Sequence, residues 1–171
     1  MSRITPDHRP PDTMLRLDFL FLDETICAPC TRTGRALDQA TKIVAAPLAA
    51  LGTRLEITRI HVASRAAAVE RRLEISPTLR LDGSDIDPYR TQWKCVTCGG
   101  PAGGATTVNC RTWHWRSETY AAAPVGLLIE AILRAALDGP RKPEMPKDTY
   151  ALPGNLAAFF EARSSGRAAC C

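Results

Sequence analysis

The chain has 171 residues and a net charge of +4, enough for one domain with a core of its own. Its basic residues are scattered, with no basic stripe interleaved with aromatics, so composition argues against nucleic acid as a partner. No apolar run reaches membrane-spanning length, and residues 1–13 are polar and proline-rich rather than a secretory signal. The expectation is a cytoplasmic protein that works on neither nucleic acid nor a membrane.

Residues 1–13 read as a disordered leader. Residues 15–22 (LRLDFLFL) begin with alternation and become continuously apolar, which predicts a strand buried at least partly on both faces. A helix follows over about Thr31 to Leu51, with Leu37, Ala40, Val44, Pro47, Leu48 and Leu51 on one face. Pro47 should kink it and Gly52 can end it. Residues 53–62 predict a second strand with Leu55 and Ile57 on one side. Ser64 can cap a short helix running to about Leu73. Residues 77–82 form a third strand, closed by a turn at Gly83.

Residues 84–123 break this alternation. They hold Cys95, Cys98, Cys110 and all three tryptophans, and read as a mostly irregular insertion with one short strand near Arg111–Arg116. Residues 124–138 predict a strong apolar helix between Pro124 and Gly139-Pro140. Four prolines then stiffen residues 139–153. A short helix over Asn155–Arg163 precedes a flexible tail ending in Cys170-Cys171. The order strand, helix, strand, helix, strand implies an α/β layer with a partly parallel sheet.

Seven cysteines stand at 27, 30, 95, 98, 110, 170 and 171. An odd number in a reducing compartment points to redox work or metal ligation rather than a disulfide framework. The first pair, Cys27-Ala-Pro-Cys30, falls between a buried strand and the first turn of a helix. Amides at a helix N-terminus favour an anion, so they favour the Cys27 thiolate. Cys30 can reach back to it. Cys27 would then attack a disulfide sulfur, and Cys30 would resolve the mixed disulfide. Pro29 removes a competing amide and stiffens the loop. The alternatives are two inert buried thiols, or half of a zinc site.

Strand, C-x-x-C, kinked helix, strand, helix, and then Ser76-Pro77-Thr78 opening the next strand together resemble the thioredoxin superfamily. The chain is also similar to bacterial thioredoxin-like proteins with an added cysteine-rich segment. The resemblance implies a thioredoxin-like mixed sheet flanked by helices over residues 14–138. It places 84–123 as a cysteine-bearing insertion before the last core helix, and 139–171 as linker and tail. It further implies that Pro77 is cis and faces the Cys27 sulfur, and that the backbone of Ser76 pairs with an extended substrate. Thioredoxins have a tryptophan just before the motif and a buried aspartate six residues before its first cysteine. This chain has Ile26 and Phe21 there.

Cys95, Cys98, Cys110 and His114 form a C-x2-C-x11-C-x3-H arrangement suited to tetrahedral zinc. The three thiolates alone suit Hg(II), As(III) or Cu(I). A relay disulfide between this cluster and the first pair is a third option, and thiols without a metal a fourth. Cys170 and Cys171 make a poor structural bridge, but as two thiolates at a chain end they suit capture of a soft metal. They resemble the C-terminal cysteine pair of mercuric reductases and the redox-active tails of some thioredoxin reductases. His8 and His61 read as packed or solvated rings, and Glu130 as an exposed or partner-facing carboxylate.

The leading expectation is a thiol–disulfide oxidoreductase acting on a protein or low-molecular-weight disulfide. No cofactor is required for that chemistry, although zinc or another soft metal has candidate ligands. The alternative is a protein that binds or detoxifies a soft metal or metalloid ion (Hg, As, Zn) with its cysteine clusters.

Overall fold

The structure, a computed structural model, describes residues 13–25, 27–94, 109–139 and 149–165. The leader up to residue 12, Ile26, Cys95, Cys98, Cys170 and Cys171 lie outside the described residues.

The first strand, β1 (Thr13–Phe21), is the spine of a mixed four-stranded sheet. It pairs in parallel with β2 (Thr53–His61) on one side and antiparallel with β3 (Thr78–Leu81) on the other. A two-residue β4 (Ser84–Asp85) extends the edge beyond β3. In that register Leu17 lies opposite both Ile57 and Leu81, so one row of apolar side chains crosses three strands. The parallel β1–β2 pair requires a crossover, and α1 (Ala28–Ala50) supplies it. Gly52, with φ +65°, follows the helix and reverses the chain where a side chain would be strained.

Alternation along β1 divides the core in two. Leu15, Leu17 and Phe19 face α1 and α3 (Val125–Asp138), in a cluster with Leu37, Val44, Leu79, Trp113, Leu128 and Ile132. Leu20 and Leu22 enter a second cluster with Val62, Ala68, Leu73, Phe159 and Phe160. The second face of β1 is therefore buried only toward its end, because Met14 and Arg16 are exposed. Each fully buried Leu or Phe contributes roughly 1.5–3 kcal/mol relative to exposure.

Several sequence expectations change here. In α1 the buried row is Leu37, Ala40, Val44 and Leu48, whereas Pro47 and Leu51 are exposed. The expected face was drawn two residues too wide, since Pro47 lies about 100° around the helix from Leu48. α2 (Arg65–Glu70) is shorter than expected, and the Ser64 hydroxyl accepts the Ala67 amide at its start. The described part of residues 84–123 is more regular than expected. Besides β4, the described part forms β5 (Gln92–Lys94) with β6 (Asn109–Arg111), and β7 (Trp113–Trp115) with β8 (Glu118–Tyr120), two antiparallel ribbons. α4 (Gly154–Ser164) closes the second cluster with Leu156, Phe159, Phe160 and Ala162, so a helix assigned to the tail is a wall of the core. Glu130 accepts the indole N–H of Trp115 at 2.9 Å and pairs with Arg134, which makes it a structural carboxylate. Among the described residues no helix is long and apolar enough to cross a membrane.

Candidate thiol site

Cys27 caps α1. It has extended backbone angles, and its Sγ accepts the Cys30 amide hydrogen at 3.3 Å. Pro29, buried in the first turn, has no amide to compete for that sulfur. The loop leading to Cys27 is tied down by short polar bonds. Asp23 accepts the Thr25 amide at 2.7 Å and its hydroxyl at 2.6 Å, and holds Arg163 of α4 at 3.3 Å. The Thr31 hydroxyl donates back to the Glu24 and Cys27 carbonyls. The N-terminus of α1 is thus held from both sides.

Both sulfurs are fully buried, in the cluster that α4 closes. Cys27 is disulfide-bonded. The Cys30 thiol is buried in the first turn of α1. Burial pushes that thiol up to about 11; the Ser76 hydroxyl and the backbone of Asp23 and Leu22 pull it down, and the Glu24 carboxylate adds to the rise. The Ser76 hydroxyl lies 3.8 Å from the Cys30 sulfur and accepts the Leu22 amide at 3.3 Å. The Ser76–Pro77 peptide bond is cis, as the resemblance implied.

One backbone group of Ser76 has a partner within the chain. Its carbonyl accepts the backbone amide of Arg111 in β6 at 3.2 Å, so an acceptor at the position expected to pair with a substrate backbone is already used within the chain. Sequence reasoning could not see this, because the partner lies 35 residues away by number, in a segment read as mostly irregular.

The second cluster is only partly described. Cys110 is fully buried in β6. Both ring nitrogens of His114 have partners: Nδ1 lies 3.2 Å from the Asp87 carboxylate and Nε2 3.0 Å from the Thr91 hydroxyl. Asp87 also accepts the His114 amide at 3.0 Å. No group of three potential metal-ligating side chains occurs among the described residues. Cys95 and Cys98, the other two expected ligands, are not described, nor is the Cys170-Cys171 pair.

Chain order and sulfur chemistry can be set against known families. Residues 15–132 match the family described as a domain of unknown function, DUF2703. The chain belongs to this family. The match runs from β1 into α3, spanning segment 84–123 and including Cys27, Cys30, Ser76, Pro77, Cys110 and His114, while α4 and Cys170-Cys171 lie beyond it. No curated protein and no solved structure matches the chain significantly.

A site of named geometry in this DUF2703 chain also includes residues the sequence did not single out. Asp85 and Arg111 are two of them. Arg111 is fully buried, forks onto Asp85 at 2.9 and 2.7 Å, touches the Thr78 hydroxyl at 3.3 Å and lies 4.1 Å over the Trp113 ring. No spacing rule links positions 85 and 111; the available signal was an arginine directly after a cysteine in a stretch with few other charges.

Proposed function

We propose that this DUF2703 chain is a thiol–disulfide exchange protein of thioredoxin-like arrangement, in which Cys27 attacks and Cys30 resolves. The observation that carries the reading is the placement of Cys27. Its sulfur caps α1 and takes the Cys30 amide, while the Cys30 thiol rests against Ser76. A helix N-terminus stabilises developing charge on that sulfur. The Cys27 thiolate would attack one sulfur of a disulfide, breaking its S–S bond and releasing the other half as thiolate. Cys30, once deprotonated, would attack the Cys27 sulfur, form the Cys27–Cys30 bond and release the second half. The two electrons come from the pair, which an external dithiol then restores. A reducing cytoplasm would suit this cycle.

The test is a single turnover of the fully reduced chain with hydroxyethyl disulfide, following the thiols consumed. We expect Cys27→Ser to abolish formation of an intramolecular disulfide in residues 27–30, and Cys30→Ser to arrest the reaction as a mixed disulfide on Cys27. Unchanged exchange in Cys27→Ser would overturn the reading. It would favour the other role, capture of a soft metal or metalloid ion by the remaining cysteines.

A further inference from the structure

We infer that β6 closes the approach to the cysteine pair over Ser76 against extended polypeptides, so that the site exchanges with small-molecule disulfides. This rests on the thiol-exchange reading and names its substrate class.

A polypeptide docking as an added strand needs backbone acceptors and donors at an open edge. The residue whose hydroxyl touches Cys30 is Ser76, and its carbonyl already accepts the Arg111 amide at 3.2 Å. The occupant is not a loose strand. The Arg111 side chain is fully buried, forked onto Asp85 and bonded to Thr78 and to the Asp87 carbonyl. The next amide, Thr112, donates to the Thr91 carbonyl at 2.8 Å, and β6 pairs with β5 through Gln92 and Arg111. Lifting β6 would pull a buried guanidinium off its carboxylate, which is strongly unfavourable. A small disulfide needs no backbone pairing. A cavity of about 450 Å³ is lined in part by Arg72, Arg90, Tyr150 and Ile75, the residue before Ser76 in the chain, and its size suits a small molecule.

The experiment uses the reduced full chain with Cys30→Ser, so that adducts on Cys27 persist. Hydroxyethyl disulfide is compared with a short extended peptide whose single cysteine carries a mixed disulfide to mercaptoethanol. Adducts at Cys27 are read by peptide mapping, and both rates are divided by those of free cysteine. We expect the peptide to be slower by at least about tenfold, the equivalent of one lost docking hydrogen bond. Arg111→Lys, which loses the fork, should narrow the gap. Equal normalised rates in the parent chain would overturn the closure while leaving thiol exchange intact. No adduct from either probe would instead sink the exchange reading, and this substrate assignment with it. Hydrogen exchange reads the closure without chemistry: the Arg111 amide should be protected as well as those of β1, and exchange as fast as in exposed loops would overturn it.

Discussion

Around β1, the structure is held by apolar burial; around Arg111 it is held by charge. On the first side Leu15, Leu17, Phe19, Leu37 and Ile132 interlock with little polar help. On the second a fully buried guanidinium joins Asp85, Thr78, Asp87 and the face of Trp113. The apolar side tolerates small changes of shape by repacking, because dispersion and burial are non-directional. The ionic side has no such latitude. Nε of Arg111 and Nε1 of Trp113 are already buried without a hydrogen-bond partner among the described residues, so the network has little to spare. The cysteine pair sits on the seam: its helix belongs to the apolar half, and the strand over Ser76 belongs to the ionic half.

Removing one partner of the ionic half should give the largest effect. Asp85→Ala leaves Arg111 buried without its fork and should cost about 3–5 kcal/mol in chemical denaturation. Replacing both, as Asp85→Ala with Arg111→Met, should recover most of that loss, since an apolar pair needs no desolvated charge. A single-variant loss below about 1 kcal/mol would show that Arg111 finds water or another acceptor, and the contrast between the halves would then be false.

The junction of the halves should respond less. Gly126 opens α3 directly against the Trp115 indole, and a Cβ there would overlap the ring. The indole cannot move freely, because its N–H is bonded to Glu130. Gly126→Ala should therefore lower stability by about 1–3 kcal/mol, partly offset by the roughly 1 kcal/mol that alanine gains over glycine in a helix. A stabilised protein would mean that the ring swings aside.

What the sequence disclosed follows the same division. β1, α1 and α3 were legible because long apolar periodicities report a face toward a core. The Cys27–Cys30 pair was legible because its strand-to-helix position has a chemical reason. Of the three-residue strands, β7 lies where one short strand was expected near Arg111–Arg116, but β5, β6 and β8 were not legible, since a period of two cannot be read over three residues. The Arg111–Asp85 fork was hidden because a buried ion pair is a fact of tertiary structure and leaves no local pattern. α4 was read as a helix but not as part of the core: its adjacent Phe159 and Phe160 gave no clear stripe, yet both are buried. The likeness implied that the Ser76 backbone pairs with a substrate, and its carbonyl already accepts the Arg111 amide from the added segment.

The smallest effect expected here concerns Cys30 and pH. Its thiol is raised from an ordinary value near 9.0 to about 11, chiefly by burial. The folded chain therefore holds this proton more tightly than the unfolded chain does. Between pH 9 and 11 the unfolded chain has lost the proton and the folded chain has not, so stability falls as pH rises through that window. Below pH 9 both forms keep the proton and the contribution is complete. From pH 9 to 10 the loss should be about 1 kcal/mol, within the 1.36 kcal/mol that one pKa unit represents. Denaturation of the reduced chain and of Cys30→Ala at both pH values isolates this from every other titrating group. If the two proteins lose stability in parallel, burial does not hold the proton on Cys30. The thiol would then be available to resolve a mixed disulfide near neutral pH. If the parent loses more, resolution should instead quicken about tenfold per pH unit as thiolate accumulates toward pH 11.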